Sequence, residues 1–345
     1  MASNEEIDLN SGAPINKTPR KEEQPKDTKD DDINHMDVSV SDLSGIITPG
    51  MSNEELVTRL IGASEDQLIP WEECHLPSKG LYYGWPDGMV MVRAMGQAAE
   101  KVLATQRLAQ SGQSIDYLFR ECCKFPNGFD PVDLLLGDRV FLLYYIRGIT
   151  HGNFYEFAVT CPNTSCGAVS THTYDLNDLA RTITWSKPEA GGEPFRIVLP
   201  YMSKAVGREF WVGVRFLRGY DANDILAKRK MKQKMTAKPG GGVKTKGASP
   251  FEARKQRQAE SQAIDDSITD NMSKIIVSVF GVTDQLTIRQ FVDKMHAQDT
   301  ATVRDWLKDN TPGIDTTVTV TCPECSTEFT VELPITENFF RPSKR

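Results

Sequence analysis

The chain has no apolar run long enough to cross a membrane as a helix, and its first residues lack the basic-then-apolar pattern of a secretion signal. It is therefore expected to be made and kept in a reducing cytoplasm. Its seven cysteines, an odd number, also argue against a complete disulfide framework. Histidine is scarce, five in 345 residues, and no two stand at metalloprotease spacing. There is no Gly-x-Ser-x-Gly elbow, no phosphate-binding glycine loop and no dinucleotide fingerprint, which removes the enzyme chemistries that are easiest to recognise. Residues 1–52 contain no Phe, Trp or Tyr and hold eleven acids against five bases. They offer too little apolar surface to offset the entropy of ordering, so 1–52 is expected to be a disordered acidic tail.

What the chain does have is two short cysteine pairs, each set in the bend of a strand-like hairpin. Cys161-Pro-Asn-Thr-Ser-Cys166 follows the alternating run Phe154–Thr160, and Cys322-Pro-Glu-Cys325 follows Thr316–Thr321. Strand alternation resumes after each, at Ser170–Leu176 and Phe329–Leu333. Two tight turns that each offer two thiolates are how a zinc ribbon completes one closed tetrahedral site. Cys161, Cys166, Cys322 and Cys325 are therefore the expected ligands of a structural Zn2+, with no open position for chemistry. The knuckles are 155 residues apart, so such a metal would tie the chain's end to its middle. A redox role is disfavoured for Cys322, because redox pairs sit at helix N-termini and Cys322 follows a Thr-Val strand. His172 could replace a cysteine, but its place across the hairpin suits an exposed strand residue. Cys74, Cys122 and Cys123 have no partner at metal spacing. Cys74-His75 has the composition of a nucleophile and base, yet adjacent side chains diverge, and no catalytic residue is assigned.

The remaining patterns suggest an α+β protein: a helical N-terminal domain, a split zinc-ribbon-like β domain, and a helical insert. After the tail, 53–150 is expected to be mainly helical, with an aromatic loop and hairpin at 71–88 and a short strand at 90–93. Leu56, Leu60 and Ile61 form a stripe in a first helix, 96–110 is helical, and Ser114 is placed to cap a helix to Cys123. Asp130-Pro131 opens another helix, and Val140–Ile149 is the candidate core helix, with a strand as the alternative. The first knuckle occupies 151–181, and a β-rich insert, with strands at 195–200 and 209–217 joined by a glycine-containing loop, occupies 182–227. Residues 228–258 carry eleven Lys or Arg and one Glu around Pro239-Gly-Gly-Gly, so 228–259 is expected to be a flexible basic loop. A helical segment follows at 260–312, with periodicity running through Val279 and two further helices near 288–295 and 302–307. The second knuckle and an aromatic C-terminal tail complete the chain at 313–345. Trp71, Tyr82, Tyr83 and Trp85 on one loop, and Phe339 and Phe340 near the end, are candidate contact residues for a partner.

Several stretches, taken in order, resemble the baseplate hub and hub assembly proteins of T4-type contractile-tailed bacteriophages. They are Leu76-Pro-Ser-Lys-Gly-Leu-Tyr-Tyr83, Asp133–Arg147 with Gly148, His151, Gly152 and Tyr155, Cys161-Pro162, Phe195–Pro200 with Val214–Gly219, and Cys322–Cys325 with Leu333-Pro-Ile and Phe339-Phe-Arg-Pro342. The resemblance spans about 70–342; the acidic tail and basic loop have no counterpart in it. It implies a virion structural or assembly protein in the tail baseplate, made in the host cytoplasm. It further implies contacts with other baseplate and tail proteins in a multi-subunit assembly, with no membrane partner and no catalysis. Arg139 and Arg147, on one side of the candidate core helix, suit salt bridges or hub contacts. The alternative is a zinc-ribbon nucleic-acid-binding accessory protein that uses the basic loop to neutralise phosphates. Overall acidity and the near absence of stacking aromatics from that loop make nucleic acid the less favoured partner.

Overall fold

Local capping starts the ordered chain. The computed structural model describes residues 42–85, 87–104, 113–187, 191–236, 269–335 and 337–340, all within one unit, Asn34–Arg345. The expected acidic tail up to 41, and 237–268 with most of the expected basic loop, lie outside the described residues. Helix α1 (Asn53–Gly62) is held by a capping box: Ser52 Oγ accepts from Glu55 N, and the Glu55 carboxylate accepts from Ser52 N at 3.1 Å. A one-turn helix α2 (Glu65–Leu68) follows.

Strands β1 (Glu72–His75), β2 (Met89–Val92) and β3 (Cys123–Lys124) form an antiparallel sheet in that order, with α3 (Gln97–Ala104) and α4 (Ser114–Cys122) between β2 and β3. The strand expected near Val90 pairs with Glu72–His75, the aromatic loop bringing Val90 opposite Cys74 and Val92 opposite Glu72. Ser114 is the first residue of α4 rather than its cap, and Gln113 precedes it in helical geometry with no side-chain capping bond. Pro131 starts a 3-10 turn, Pro131–Asp133, not the long helix. Asp130 accepts from Val132 N and closes that turn, and α5 (Leu136–His151) begins after Leu135.

Helix α5 is the core element. Phe141 to Ile146 are all buried, so apolar residues around the whole circumference mark a helix surrounded by protein. One hydrophobic core gathers the first sheet, α4, α5 and the two cysteine-bearing hairpins. Those hairpins are β4 (Phe154–Thr160) with β5 (Val169–Asp175), and β9 (Thr317–Thr321) with β10 (Glu328–Glu332). Alternation sends Tyr155, Phe157, Val159, Val318 and Val320 inward.

A second core lies under β6 (Phe195–Val198), β7 (Trp211–Val214) and β8 (Ile276–Val279), an antiparallel sheet in that order. Helix α6 (Pro200–Val206), stopped by the left-handed Gly207, fills the connection expected to be a loop. Helix α7 (Gly219–Thr236) takes up the start of the expected basic loop. Helical residues 269–275 give way to β8, so the helical periodicity expected through Val279 ends early. Ile276, Val277 and Val279 are β-branched and complete the ladder on β7 (Val212 opposite Val279), an edge that outweighs their helical spacing. Helices α8 (Gln285–Asp293) and α9 (Ala297–Asn310) cover the inner face through Ile288, Val303 and Trp306. The short α10 (Glu337–Phe340) ends the described chain. The fold is α+β.

Candidate metal centre

The structure brings the Sγ atoms of Cys161, Cys166, Cys322 and Cys325 within 4.8 Å of one another, the one such group of at least three His, Cys, Asp or Glu ligands among the described residues. Each knuckle is shaped by backbone bonds. In the first, the Asn163 carbonyl accepts from both Cys166 N and Gly167 N at 2.9 Å, and Asn163 Oδ1 accepts from Ser165 N at 3.0 Å. In the second, Ser326 N donates to the Cys322 carbonyl at 2.9 Å. Both turns then pass through a left-handed residue, Gly167 at φ +58° and Ser326 at φ +56°. Cys161 N to Ala168 O and Cys322 N to Thr327 O, each 2.9 Å, close the two hairpins. The four-residue spacer of the first pair is therefore absorbed by the Asn163 turn, and both knuckles end in the same way.

The sulfurs lie 3.6 Å apart for Cys161–Cys325 and 3.9 Å for Cys166–Cys322. A disulfide needs about 2.05 Å. Four thiolates about 2.3 Å from a central zinc stand roughly 3.8 Å apart at tetrahedral angles. The cluster has the second spacing, and all four are free cysteines. Burial pushes the Cys161 thiol up to about 12. The Thr327 hydroxyl, 3.1 Å from Cys325 Sγ, together with the Thr327 backbone, holds the Cys325 thiol down at about 6. Asn163 Nδ2 sits 3.9 Å from Cys325 Sγ and 3.4 Å from Thr327 Oγ1, bridging the knuckles. Sequence reasoning assigned no role to Asn163 or Thr327; the turn propensity of Pro162-Asn163 was the available signal.

The other sequence candidates lie elsewhere. His172 bonds Ser170 Oγ at 2.8 Å on the β5 face. Cys74 is fully buried and burial raises its thiol strongly, whereas His75 is exposed on the opposite face of β1, so the two make no nucleophile–base pair. Cys122 and Cys123 are core residues.

The expected contact aromatics are mostly spent inside the molecule. Phe339 and Phe340 are buried, and Phe339 meets the Tyr144 and Tyr155 rings edge-on at 4.9 and 5.0 Å. Tyr83 and Trp85 pack on Phe129, and Tyr82 on Phe195 and Phe216, joining the two cores. Trp71 is covered by Arg93 and Lys124, at 4.7 and 3.9 Å from the ring centre. Arg139 and Arg147 are also internal. Arg139 Nη2 lies 2.7 Å from Asp116 Oδ1, a close ion pair without hydrogen-bond alignment, and Arg147 donates to the carbonyls of Gly152 and Phe154.

Residues 221–341, from α7 through the second knuckle to α10, match the family described as T4 bacteriophage base plate protein. Over this stretch the chain is similar to T4-type baseplate proteins. The recognition expected from the scattered motifs holds at the level of the baseplate family. No curated protein and no solved structure matches the chain.

Proposed function

We infer that this chain is a structural component, or an assembly factor, of the baseplate hub of a contractile phage tail, acting through contacts with other baseplate and tail proteins. The observation that carries the reading is the baseplate-family match over 221–341, which takes in the second cysteine pair and much of the second core. The ordered motif resemblance outside that stretch adds to it. On this reading the chain resides in the virion tail, passes through the host cytoplasm during assembly, and does no catalysis.

Within it, Cys161, Cys166, Cys322 and Cys325 hold one structural zinc. The sulfur spacing near a tetrahedral edge supports this, as does their delivery from two similarly shaped turns. Four protein ligands leave no position for water, so the ion supplies cross-linking of the two hairpins and nothing catalytic. On this reading the zinc joins a ribbon split by the second core's sheet and helices.

Cryo-electron microscopy of particles from producing cells tests the reading. Density for this chain beside the end of the tail tube, with four sulfurs around one metal, is the expected result. Absence from both finished particles and tail intermediates would overturn it. In that case salt-dependent DNA binding that weakens on deletion of 228–246 would move the nucleic-acid alternative ahead.

A further inference from the structure

Two of the apolar surfaces left exposed among the described residues are complementary to one another. The first is α1. None of its residues is buried, and Val57 and Ile61, one turn apart, are 53 % and 80 % exposed. The helix depends on its capping box, and a ten-residue helix without packing is marginal in water. Beside it opens a bay of about 650 Å³ whose lining includes Pro49, Met51, Glu54 and Thr58. The Glu54 carboxylate pairs with no cation among the described residues.

The second surface is at the end of the β6–β7–β8 sheet. Val279 and Val282 exchange backbone bonds of 2.8 and 2.9 Å around a two-residue turn, Phe280-Gly281, with φ +48° and +89°. Such a turn asks for positive φ at both positions and favours Asn or Gly at the first. A phenylalanine there is strained, and strain of this kind clusters at functional sites. The turn sets the Phe280 ring parallel to Phe210 at 5.2 Å and beside Trp211, next to which lies Val198. Val198, Phe280 and Val282 are 41 %, 37 % and 49 % exposed. The Arg208 guanidinium lies 4.8 Å over the Phe280 ring and pairs with no carboxylate among the described residues.

We propose that α1 of one copy docks on the Phe280 shelf of a second copy, with Val57 and Ile61 lying on Val198, Phe280 and Val282 while Glu54 meets Arg208. The two surfaces are complementary in kind: a narrow apolar helix stripe with an acid beside it, and an aromatic shelf with a base beside it. Neither covers the other within one chain, since both are exposed there. Laying an amphipathic helix onto an apolar surface is a common mode of recognition. Because arm and shelf are different surfaces, each copy brings one of each, and the contact is reciprocal or head-to-tail. This names a partner for a structural subunit but does not rest on the baseplate reading, since the purified chain tests it without any phage particle.

Sedimentation of the full chain over a concentration series is the test. The wild type is expected to self-associate, and Ile61→Glu and Val282→Glu are each expected to weaken association by about tenfold or more. An equimolar mixture of those two variants should recover dimers, because each keeps the surface the other has lost. Glu54→Arg should weaken association alone and regain it when combined with Arg208→Glu, a rescue that misfolding could not mimic. A wild type that stays monomeric throughout would overturn the proposal and leave both faces to other proteins. So would association unchanged by Ile61→Glu and Val282→Glu, or a charge swap without rescue.

Discussion

Tyr144 donates its hydroxyl to the carbonyl of Leu333, 189 residues further along the chain, at 2.9 Å. The bond is buried and fastens the strand end after the second knuckle to the centre of α5, with Tyr155 doing the same for the Pro334 carbonyl at 2.6 Å. Tyr144→Phe would keep the ring against Phe339 but leave a buried carbonyl without its donor, a loss of about 1–3 kcal/mol. Phe339→Ala would remove the aromatic wedge between Tyr144 and Tyr155 and is expected to cost about 3–5 kcal/mol. Chemical denaturation measures both. A Phe339→Ala protein as stable as wild type would mean the chain end is not part of the core.

Gly137 marks a second close approach to α5. A Cβ built there would sit 1.7 Å from the Pro312 carbonyl oxygen, and one on Gly313, at φ +152°, would sit 2.9 Å from the Gly137 Cα. The segment between α9 and β9 therefore crosses the first turn of α5 with no room for a side chain. Gly137→Ala should destabilise by roughly 1–3 kcal/mol despite the better helix propensity of alanine. An increase in Tm on this substitution would show that the crossing is not held in solution.

The contrast between these two glycines and the cysteines shows what was legible in the sequence. The knuckles carry their own signature, since cysteine spacing, proline and strand alternation all lie within a few residues, and the four thiols do meet. The apolar run Val140–Ile149 marked a buried core element, but by itself left helix and strand both open. Long-range partners were not legible. Arg139 meets Asp116 and Tyr83 meets Asp138 across 23 and 55 residues, and periodicity does not encode which buried acid a base or hydroxyl will find. The switch from helix to strand at Ile276 failed for the same reason: the edge of β7 decides it, and that edge comes from residues 211–214. Phe339 and Phe340 were read as contact residues because nothing local shows that Tyr144 and Tyr155 receive them.

Asp138 makes stability depend on pH. It is fully buried, and burial raises its carboxyl to about 6 against an ordinary 3.8, although Ser78 N and the Tyr83 hydroxyl both donate to it. The folded state therefore takes up a proton at higher pH than the unfolded chain does. Its favourable contribution is complete below about pH 4 and is lost as pH rises through about 6. Two pKa units correspond to roughly 3 kcal/mol, as an order of magnitude. Asp138→Asn should remove this part of the slope of unfolding free energy between about pH 4 and 6. Identical slopes in the two proteins would mean that Asp138 ionises in the fold as readily as in the unfolded chain.

The cysteine cluster gives the prediction that separates a metal centre from four thiols that happen to be close. Cys325→Ala removes one of the four thiols, on the half-exposed side, and disturbs little apolar surface. If a zinc joins the knuckles, metal content measured on the purified protein falls and Tm falls with it, because ion and fold are bound in one equilibrium. Cys74→Ala is the control. It deletes a sulfur from the sealed interior of the first sheet and should lower stability through the cavity it leaves, with metal content unchanged. Asn163→Ala lies between them: all four sulfurs remain, but the amide that spans the knuckles is gone. It should weaken metal retention against a chelator without abolishing it. Equal metal content in Cys325→Ala and wild type would remove the zinc from the account, and the hairpins would then be held by Tyr155, Val318 and their neighbours alone.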